Sequence, residues 1–366
     1  MSYIISIKTA ILLFPLIALL FTIPFILNQY HKYGSVNKFR VCIIYSFILY
    51  IITIYFLVIL PLPDKNTFLP KDNMVRIVPF GFIRDFMKES SFVLTEPMTY
   101  WKAIQEPCFY TVLFNIFMTV PFGMYLRYYF KCTLKKTVLC SFLLSLFFEL
   151  TQLTGLYYIY PYPYRIFDID DLITNTLGGT IGFYMVGLIS RFLPTRDEID
   201  RKSIENGKIV SGLRRITVFG FDFILNIFFT VLISIVYRGA HIFLISFLLY
   251  YIVYPYCTCG TTIGSRFLNV RLEFEKNSFL MLIFRILFLY TYYFGILMFI
   301  LYLIRFVSIY FVLETLEIIW IYIFAAIALF LFYLVNIVIL LKNRTIYYDC
   351  LFRVQYKSDI EKKANL

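Results

Sequence analysis

Histidine and charged side chains are scarce in this 366-residue chain. Only two histidines are present, His31 and His241, and they are too far apart to have ligand spacing, so a histidine-based zinc site is not supported. Charged residues make up 15% of the chain and hydrophobic residues 61%. Because soluble globular chains are about 45–50% apolar, this composition excludes an ordinary water-soluble protein.

The cysteines show no pattern that indicates a disulfide framework. They number seven, an odd count, and most fall in apolar runs or basic loops. Cys257-Thr-Cys259 has one residue too few to be a CxxC redox motif. The seven are Cys42, Cys108, Cys132, Cys140, Cys257, Cys259 and Cys350.

Long apolar runs dominate what remains. A run of about 20 residues crosses a hydrocarbon layer of roughly 30 Å as a helix, and the chain has nine such segments. The sequence therefore predicts an all-α polytopic membrane protein with about nine transmembrane helices in two helical halves. The predicted spans are 9–27, 41–62, 108–130, 138–156, 170–192, 216–236, 241–256, 279–303 and 317–341.

The formal charge of +12 has a topological explanation. In a soluble protein such an excess suggests nucleic acid, but here the cations cluster in alternate loops, so no nucleic-acid partner is expected. The positive-inside rule then predicts an outer N-terminus and a cytoplasmic C-terminus. The predicted division is a first domain over 1–192, a basic cytoplasmic linker over 193–214 and a second domain over 215–366 with a basic tail. The Lys/Arg-rich segments are 28–40, 131–137, 193–215, 257–278 and the C-terminal tail.

One polar stretch, 149–182, lies between two apolar runs on the predicted outer face. Glu149 and Gln152 share a face of span four, while Asp171 and Asn175 begin a stripe on span five that continues as Gly178-x-x-x-Gly182. The glycines allow a neighbouring backbone to approach closely, which favours a tight hairpin of spans four and five with converging carboxylates. The remaining candidates are Arg165, Asp168 and Asp170 in the stretch and Asn115 on span three.

Three interpretations of this cluster remain open. Arg165 forms salt bridges with the aspartates and only fixes the hairpin, or the cluster binds a cationic or polar headgroup, or it serves a hard cation or acid–base catalysis. No cofactor is expected, although a divalent cation on Asp168, Asp171 and Glu149 would suit oxygen-only ligands.

The motif in residues 41–192 closely resembles the VanZ-like family of bacterial membrane proteins. The resemblance rests on Glu149-x-x-Gln152, on Arg165-x-x-Asp168-x-Asp170-Asp171-x-x-x-Asn175-x-x-Gly178-Gly179-x-x-Gly182, and on Asn115 followed by Pro121-Phe122-Gly123. The chain departs from the family in the aromatic loop 157–164, which separates Arg165 further from the Glu/Gln pair. The resemblance implies a bacterial plasma-membrane location and an association with resistance to teicoplanin-type glycopeptides.

Residues 210–355 resemble a second family, the RDD membrane domain, for which an ion/proton antiport role has been proposed. The chain departs from its pattern at Val218, Ser265 and Arg353-Val354, and span seven has no acid. The matching positions are Arg215, Asp222, Gly260, Thr262, Gly264, Arg266, Arg271 and Asp349.

Three functions follow from these patterns as hypotheses. The first is an envelope protein whose carboxylate cluster binds a lipid headgroup, a lipid-linked cell-wall precursor or a glycopeptide. The second is an ion/proton antiporter centred on Asp222. The third is an enzyme on a lipid-linked substrate, which has the least support because no nucleophile with a paired base is visible. Membrane lipids are the expected partners.

Overall fold

The computed structural model describes residues 2–62, 74–237, 239, 241–258, 260–274, 278–310, 315–343 and 347–360. Within these ranges eight helices are long and apolar enough to cross a membrane, and a ninth, shorter apolar helix covers Ile242–Cys257. The predicted all-α polytopic fold is therefore confirmed. The helices are α1 (Ser2–Tyr33), α2 (Lys38–Ile59), α3 (Gly81–Glu89), α4 (Met98–Ile104), α5 (Pro107–Tyr128), α6 (Leu134–Leu153), α7 (Ile169–Ile189), α8 (Arg196–Gly207), α9 (Gly212–Val236), α10 (Ile242–Cys257), α11 (Ile263–Phe267), α12 (Leu280–Tyr310), α13 (Thr315–Asn343) and α14 (Tyr347–Leu351).

The outer surfaces of the long helices are apolar. Leu12 on α1, Leu188 on α7 and Phe330 on α13 are 79%, 71% and 65% exposed. Contiguous exposure of large apolar side chains is unfavourable in water but is what a helix needs where it faces lipid. These surfaces support a multi-pass membrane protein.

The chain divides into two compact units. Unit 1 holds the residues up to Thr22 together with Lys38–Ile199, and unit 2 holds Ile23–Asn37 together with Asp200–Leu366. The division after Ile199 lies inside the predicted linker, where α8 forms a helix.

Glycines bring α7 against α5 in unit 1. A Cβ atom on Gly178 or Gly182 would lie 2.1 or 2.0 Å from a backbone oxygen of α5, so only glycine permits this approach. On the next face of α7, a Cβ on Gly179 would lie 2.0 Å from Ser141 Oγ of α6. The glycine stripe therefore faces span three, whereas the sequence suggested span four, which instead contacts Gly179.

Two short sheets connect distant segments. In unit 1, β1 (Val75–Arg76) pairs in parallel with β2 (Phe167–Asp168), which places the segment leading into α3 beside the start of α7. In unit 2, β3 (Val270–Phe274) pairs antiparallel with β4 (Val354–Ser358).

The loop after α6 turns back sharply. Gly155 and the next three residues, Leu156, Tyr157 and Tyr158, all have φ between 56° and 69°. Non-glycine residues adopt this left-handed region at a cost, so tertiary packing must hold the turn. Buried Leu156 and Tyr160 provide it by packing on Ile59 at the end of α2.

Candidate functional site

A cavity of about 470 Å³ lies in unit 1 where α2 and α6 end and α7 begins. Its wall combines the apolar side chains of α2 and α5 with carboxylates, amides and one guanidinium. Six of the eight predicted site residues of this half line it: Asn115, Glu149, Gln152, Arg165, Asp171 and Asn175.

Two carboxylates lie on this cavity wall. Glu149 is only 3% exposed, and its Oε2 accepts the backbone N–H of Asp168 at 3.0 Å. Asp171 Oδ1 accepts Asn115 Nδ2 at 2.6 Å. Each carboxylate thus uses one oxygen to hold the fold, and each has a second oxygen without a hydrogen-bond partner in the part of the chain that the structure describes.

Arg165 contacts backbone carbonyls rather than forming the aspartate salt bridge that was one of the open interpretations. Its Nη1 donates to Val58 O at 2.8 Å and its Nη2 donates to Leu60 O at 3.2 Å. Gln152 Nε2 donates to the same Val58 oxygen at 3.0 Å. Because the last carbonyls of a helix have no intrahelical donor, Arg165 and Gln152 cap α2 at the cavity edge.

Side chains on α5, α6 and α7 form a hydrogen-bonded layer across the bottom of the site. Thr119 Oγ1 donates to Asn175 O at 2.7 Å, and Ser145 Oγ donates to Asp171 O at 3.1 Å. Asn175 Nδ2 donates to Ser145 Oγ at 2.9 Å. The first turns of α7 are thereby fixed to both neighbours, which positions Asp171 and Asn175 on the cavity wall.

Asp168 and Asp170 do not line the cavity. Asp170 is 4% exposed and accepts the backbone N–H groups of Phe80 and Phe82 at 2.6 and 2.8 Å, at the start of α3. Asp168 caps α7 by accepting the N–H of Asp170 at 2.9 Å and lies 3.6 Å from Arg76 Nη1. These two aspartates therefore attach the α3 segment to α7.

The electrostatics of this attachment involve two ion pairs. Burial raises the pKa of Asp168 above its ordinary value, and the Asp170 N–H and Arg76 oppose that rise. Arg76 also hydrogen-bonds Asp85, which lowers the pKa of Asp85 and raises that of Arg76.

Burial raises the pKa of Tyr164, whose ring lines the cavity, to about 12.

The role of Arg76 could not be found from the sequence, since it lies far from the motif and arrives through β1–β2 pairing. The sequence does indicate that the Asp170 and Asp171 side chains lie on different faces of α7, because successive helical residues differ by about 100° in direction.

The structure does not bring Asp168, Asp171 and Glu149 together as ligands for the divalent cation that the sequence suggested. Among the residues described by the structure, no group of three His, Cys, Asp or Glu side chains is placed to hold a metal ion. Asp168 and Glu149 meet through a backbone N–H, not through converging oxygens.

In unit 2, Asp222 is enclosed by neutral donors. Its Oδ1 accepts Tyr250 OH at 2.6 Å and Gly264 N–H at 2.7 Å, and its Oδ2 accepts Thr262 Oγ1 at 2.5 Å. A Cβ on Gly264 would lie 2.5 Å from Asp222 Oδ1. The glycine-rich loop, in which Gly260 takes a φ of 83°, therefore closes over Asp222.

Asp349 forms a separate buried cluster. It pairs with Arg215, and its Oδ1 accepts Arg285 Nη2 at 3.1 Å and Tyr356 OH at 3.2 Å. Arg215 also lies over the Tyr356 ring. In the antiporter hypothesis Arg266 and Arg285 lie around Asp222. In the structure Arg285 contacts Asp349, so Asp222 and Asp349 belong to two separate clusters.

The two other basic motif residues of unit 2 lie outside both clusters. Arg266 is exposed, and Arg271 pairs with Asp359 at 3.1 Å.

Unit 1 is therefore a polytopic helical membrane domain with a cavity whose wall combines apolar and polar side chains. Residues 47–190, about two fifths of the chain, match the family model VanZ/LLP1, so this region is similar to that family, as the resemblance over 41–192 predicts. No curated protein and no solved structure gave a match in the other comparisons. Nothing in the comparisons supports the RDD resemblance of residues 210–355, which stays a prediction.

Proposed function

We propose that the VanZ-like region binds the polar headgroup of a membrane lipid or lipid-linked cell-wall precursor in the unit 1 cavity. The observation that carries this proposal is the cavity of about 470 Å³ with Glu149 and Asp171 on its wall. Ligand sites commonly measure 300–1,000 Å³ and combine an apolar lining with a few polar groups. Ionisable residues inside a membrane domain are costly and usually mark a binding or transport site.

The predicted topology sets where this ligand would come from. The positive-inside rule places the α2, α6 and α7 ends that form the cavity at the outer leaflet. A headgroup held there would be withdrawn from, or presented to, molecules outside the cell. The consequence we propose is lowered susceptibility to teicoplanin-type glycopeptides in the bacterial envelope.

A susceptibility measurement tests this function. Expression in a glycopeptide-sensitive Gram-positive host should raise the inhibitory concentration of teicoplanin at least about fourfold, and Glu149→Gln and Asp171→Asn should each abolish that rise. Both changes remove a charge while keeping an acceptor oxygen, so Asp168 N–H and Asn115 Nδ2 stay bonded. The matched control is Asp197→Asn, a solvent-exposed acid of unit 1.

Membrane levels of each variant must equal those of the parent protein. Retained protection in a folded double variant would contradict the proposed role of the cavity. Full protection by residues 200–366 alone would contradict it as well.

Ion/proton antiport through unit 2 has less support. Asp222 already accepts three hydrogen bonds, and Asp349 is paired with two arginines. Catalysis has less support because none of the described residues that line the cavity is a serine, cysteine or lysine beside a base.

A further inference from the structure

The nitrogen-bearing side chains on the cavity wall each donate at least one hydrogen bond within the fold. Gln152 Nε2 and both Nη atoms of Arg165 donate to backbone carbonyls at the end of α2. Asn115 Nδ2 donates to Asp171, and Asn175 Nδ2 donates to a hydroxyl of α6. Each of the three amides therefore directs its nitrogen at a partner in the fold and its oxygen away from that partner.

The amide orientations follow from what each partner can do. Carbonyl and carboxylate oxygens only accept hydrogen bonds, so the nitrogens of Gln152 and Asn115 must face them. Ser145 gives its proton to Asp171 O, so its oxygen accepts from Asn175. The Asn175 amide oxygen must then point the other way.

Asn175 supplies an observation independent of the carboxylates. The side chain is 4% exposed, lines the cavity, and its Oδ1 is buried without a hydrogen-bond partner in the described ranges. An unpaired buried acceptor is unfavourable, so a ligand that donates a hydrogen bond to it regains free energy. A ligand that donates a hydrogen bond would therefore satisfy Asn175 Oδ1.

Charge and donor count narrow the chemical class. Two carboxylates, Glu149 and Asp171, face one guanidinium, Arg165, which leaves a formal charge of −1 on the wall. A phosphate or carboxylate would meet like charge on this wall, and a quaternary ammonium has no N–H to donate. A primary ammonium has one positive charge and three N–H donors. These match the three acceptors that lack a partner in the described residues: the second carboxylate oxygens of Glu149 and Asp171, and Asn175 Oδ1.

We propose that the unit 1 cavity takes a primary ammonium group, bonded by Glu149, Asp171 and Asn175. This inference rests on the proposed function, since it names the chemical class that the cavity selects. Two sources supply that chemistry: the headgroup of an amine-bearing lipid and a soluble primary amine.

Native mass spectrometry of the full chain released from detergent tests the proposal. The probes are dioleoylphosphatidylethanolamine, its N-acetyl derivative and dioleoylphosphatidylcholine, which keep the same acyl chains and change only the amine. We expect the free amine to be retained at least about tenfold more strongly than either other lipid, because only the free amine donates charge-assisted N–H bonds; tenfold corresponds to about 1.4 kcal/mol. Millimolar ethanolamine separates the sources: displacement assigns recognition to the amine alone, and lack of displacement assigns it to the lipid.

Equal retention of the three lipids by the unaltered chain would overturn the proposal, and this comparison needs no variant to fold. The double variant Glu149→Gln/Asp171→Asn should lose the preference, whereas the exposed control Asp197→Asn should keep it. If retention depends on these two acids but is equal for lipids with and without a free amine, the ammonium assignment is overturned and the proposed headgroup function is not. Retention unaffected by the acids would overturn both.

Discussion

Replacing Asp170 by alanine should release α3 from α7 without unfolding the helix bundle. The Asp170 carboxylate is buried and accepts the N–H groups of Phe80 and Phe82, which begin α3. The first N–H groups of a helix have no intrahelical acceptor, and its N-terminus favours a negative charge. Alanine removes both the acceptors and the charge.

The size of the effect follows from two hydrogen bonds. Each hydrogen bond to a charged group contributes about 1.5–3 kcal/mol, so the attachment loses about 3–6 kcal/mol. At about 1.4 kcal/mol per factor of ten, local opening of residues 78–89 becomes roughly 10² to 10⁴ times more frequent. Asp170→Asn keeps one acceptor oxygen, so its effect should be about half as large in free energy.

Hydrogen–deuterium exchange of the full chain in lipid nanodiscs measures this opening. Peptides covering residues 78–89 should exchange faster in Asp170→Ala, less so in Asp170→Asn, and as in the parent in Asp197→Asn. Peptides of α5 serve as the internal reference and should not change. Unaltered exchange of residues 78–89 in Asp170→Ala would refute the role of this carboxylate.

Three further outcomes are expected. Gly182→Ala forces a Cβ to within 2.0 Å of a backbone oxygen of α5 and should destabilise unit 1 by about 1–3 kcal/mol in thermal unfolding. Gly187→Ala on the same helix is the control, because a Cβ there has nothing within 4 Å and should not destabilise the unit. Equal melting temperatures for the two variants would contradict the glycine contact. The hydrogen bond from Arg76 lowers the pKa of Asp85 below its ordinary 3.8, so its stabilisation is complete above about pH 4 and is lost as pH falls through the lower folded-state value; exchange of residues 78–89, corrected for intrinsic rates, should rise there in the parent but not in Asp85→Asn. Asp349→Asn removes a carboxylate charge that two buried arginines share and should cost about 3–5 kcal/mol. An unchanged unfolding temperature would argue against the cluster.

The membrane architecture was readable because hydrophobic runs of about 20 residues are strong signals. Helical spacing also placed Glu149, Gln152, Asp171 and Asn175 together, since neighbours on one helix face are fixed by the period of 3.6 residues. Spacing does not say which neighbouring helix a glycine stripe meets. That choice depends on packing, and here the stripe faces α5.

The contacts of Arg165 show a different limit. Its partners are the last carbonyls of α2, which are available as acceptors because that helix ends at the cavity. Backbone carbonyls are the same for every residue type, so the sequence cannot indicate this contact. The loop before it, with three left-handed non-glycine residues, has no glycine or asparagine signal at those positions. Arg76 reaches Asp168 through a two-residue parallel strand pair that is too short to predict.

A structure of the full chain in membranes that contain phosphatidylethanolamine tests the central claim most directly. The account predicts density for a headgroup nitrogen in the unit 1 cavity, within hydrogen-bond distance, about 2.7–3.2 Å, of oxygens of Glu149, Asp171 and Asn175. A cavity that holds only water, with the lipid amines elsewhere on the protein, would contradict it.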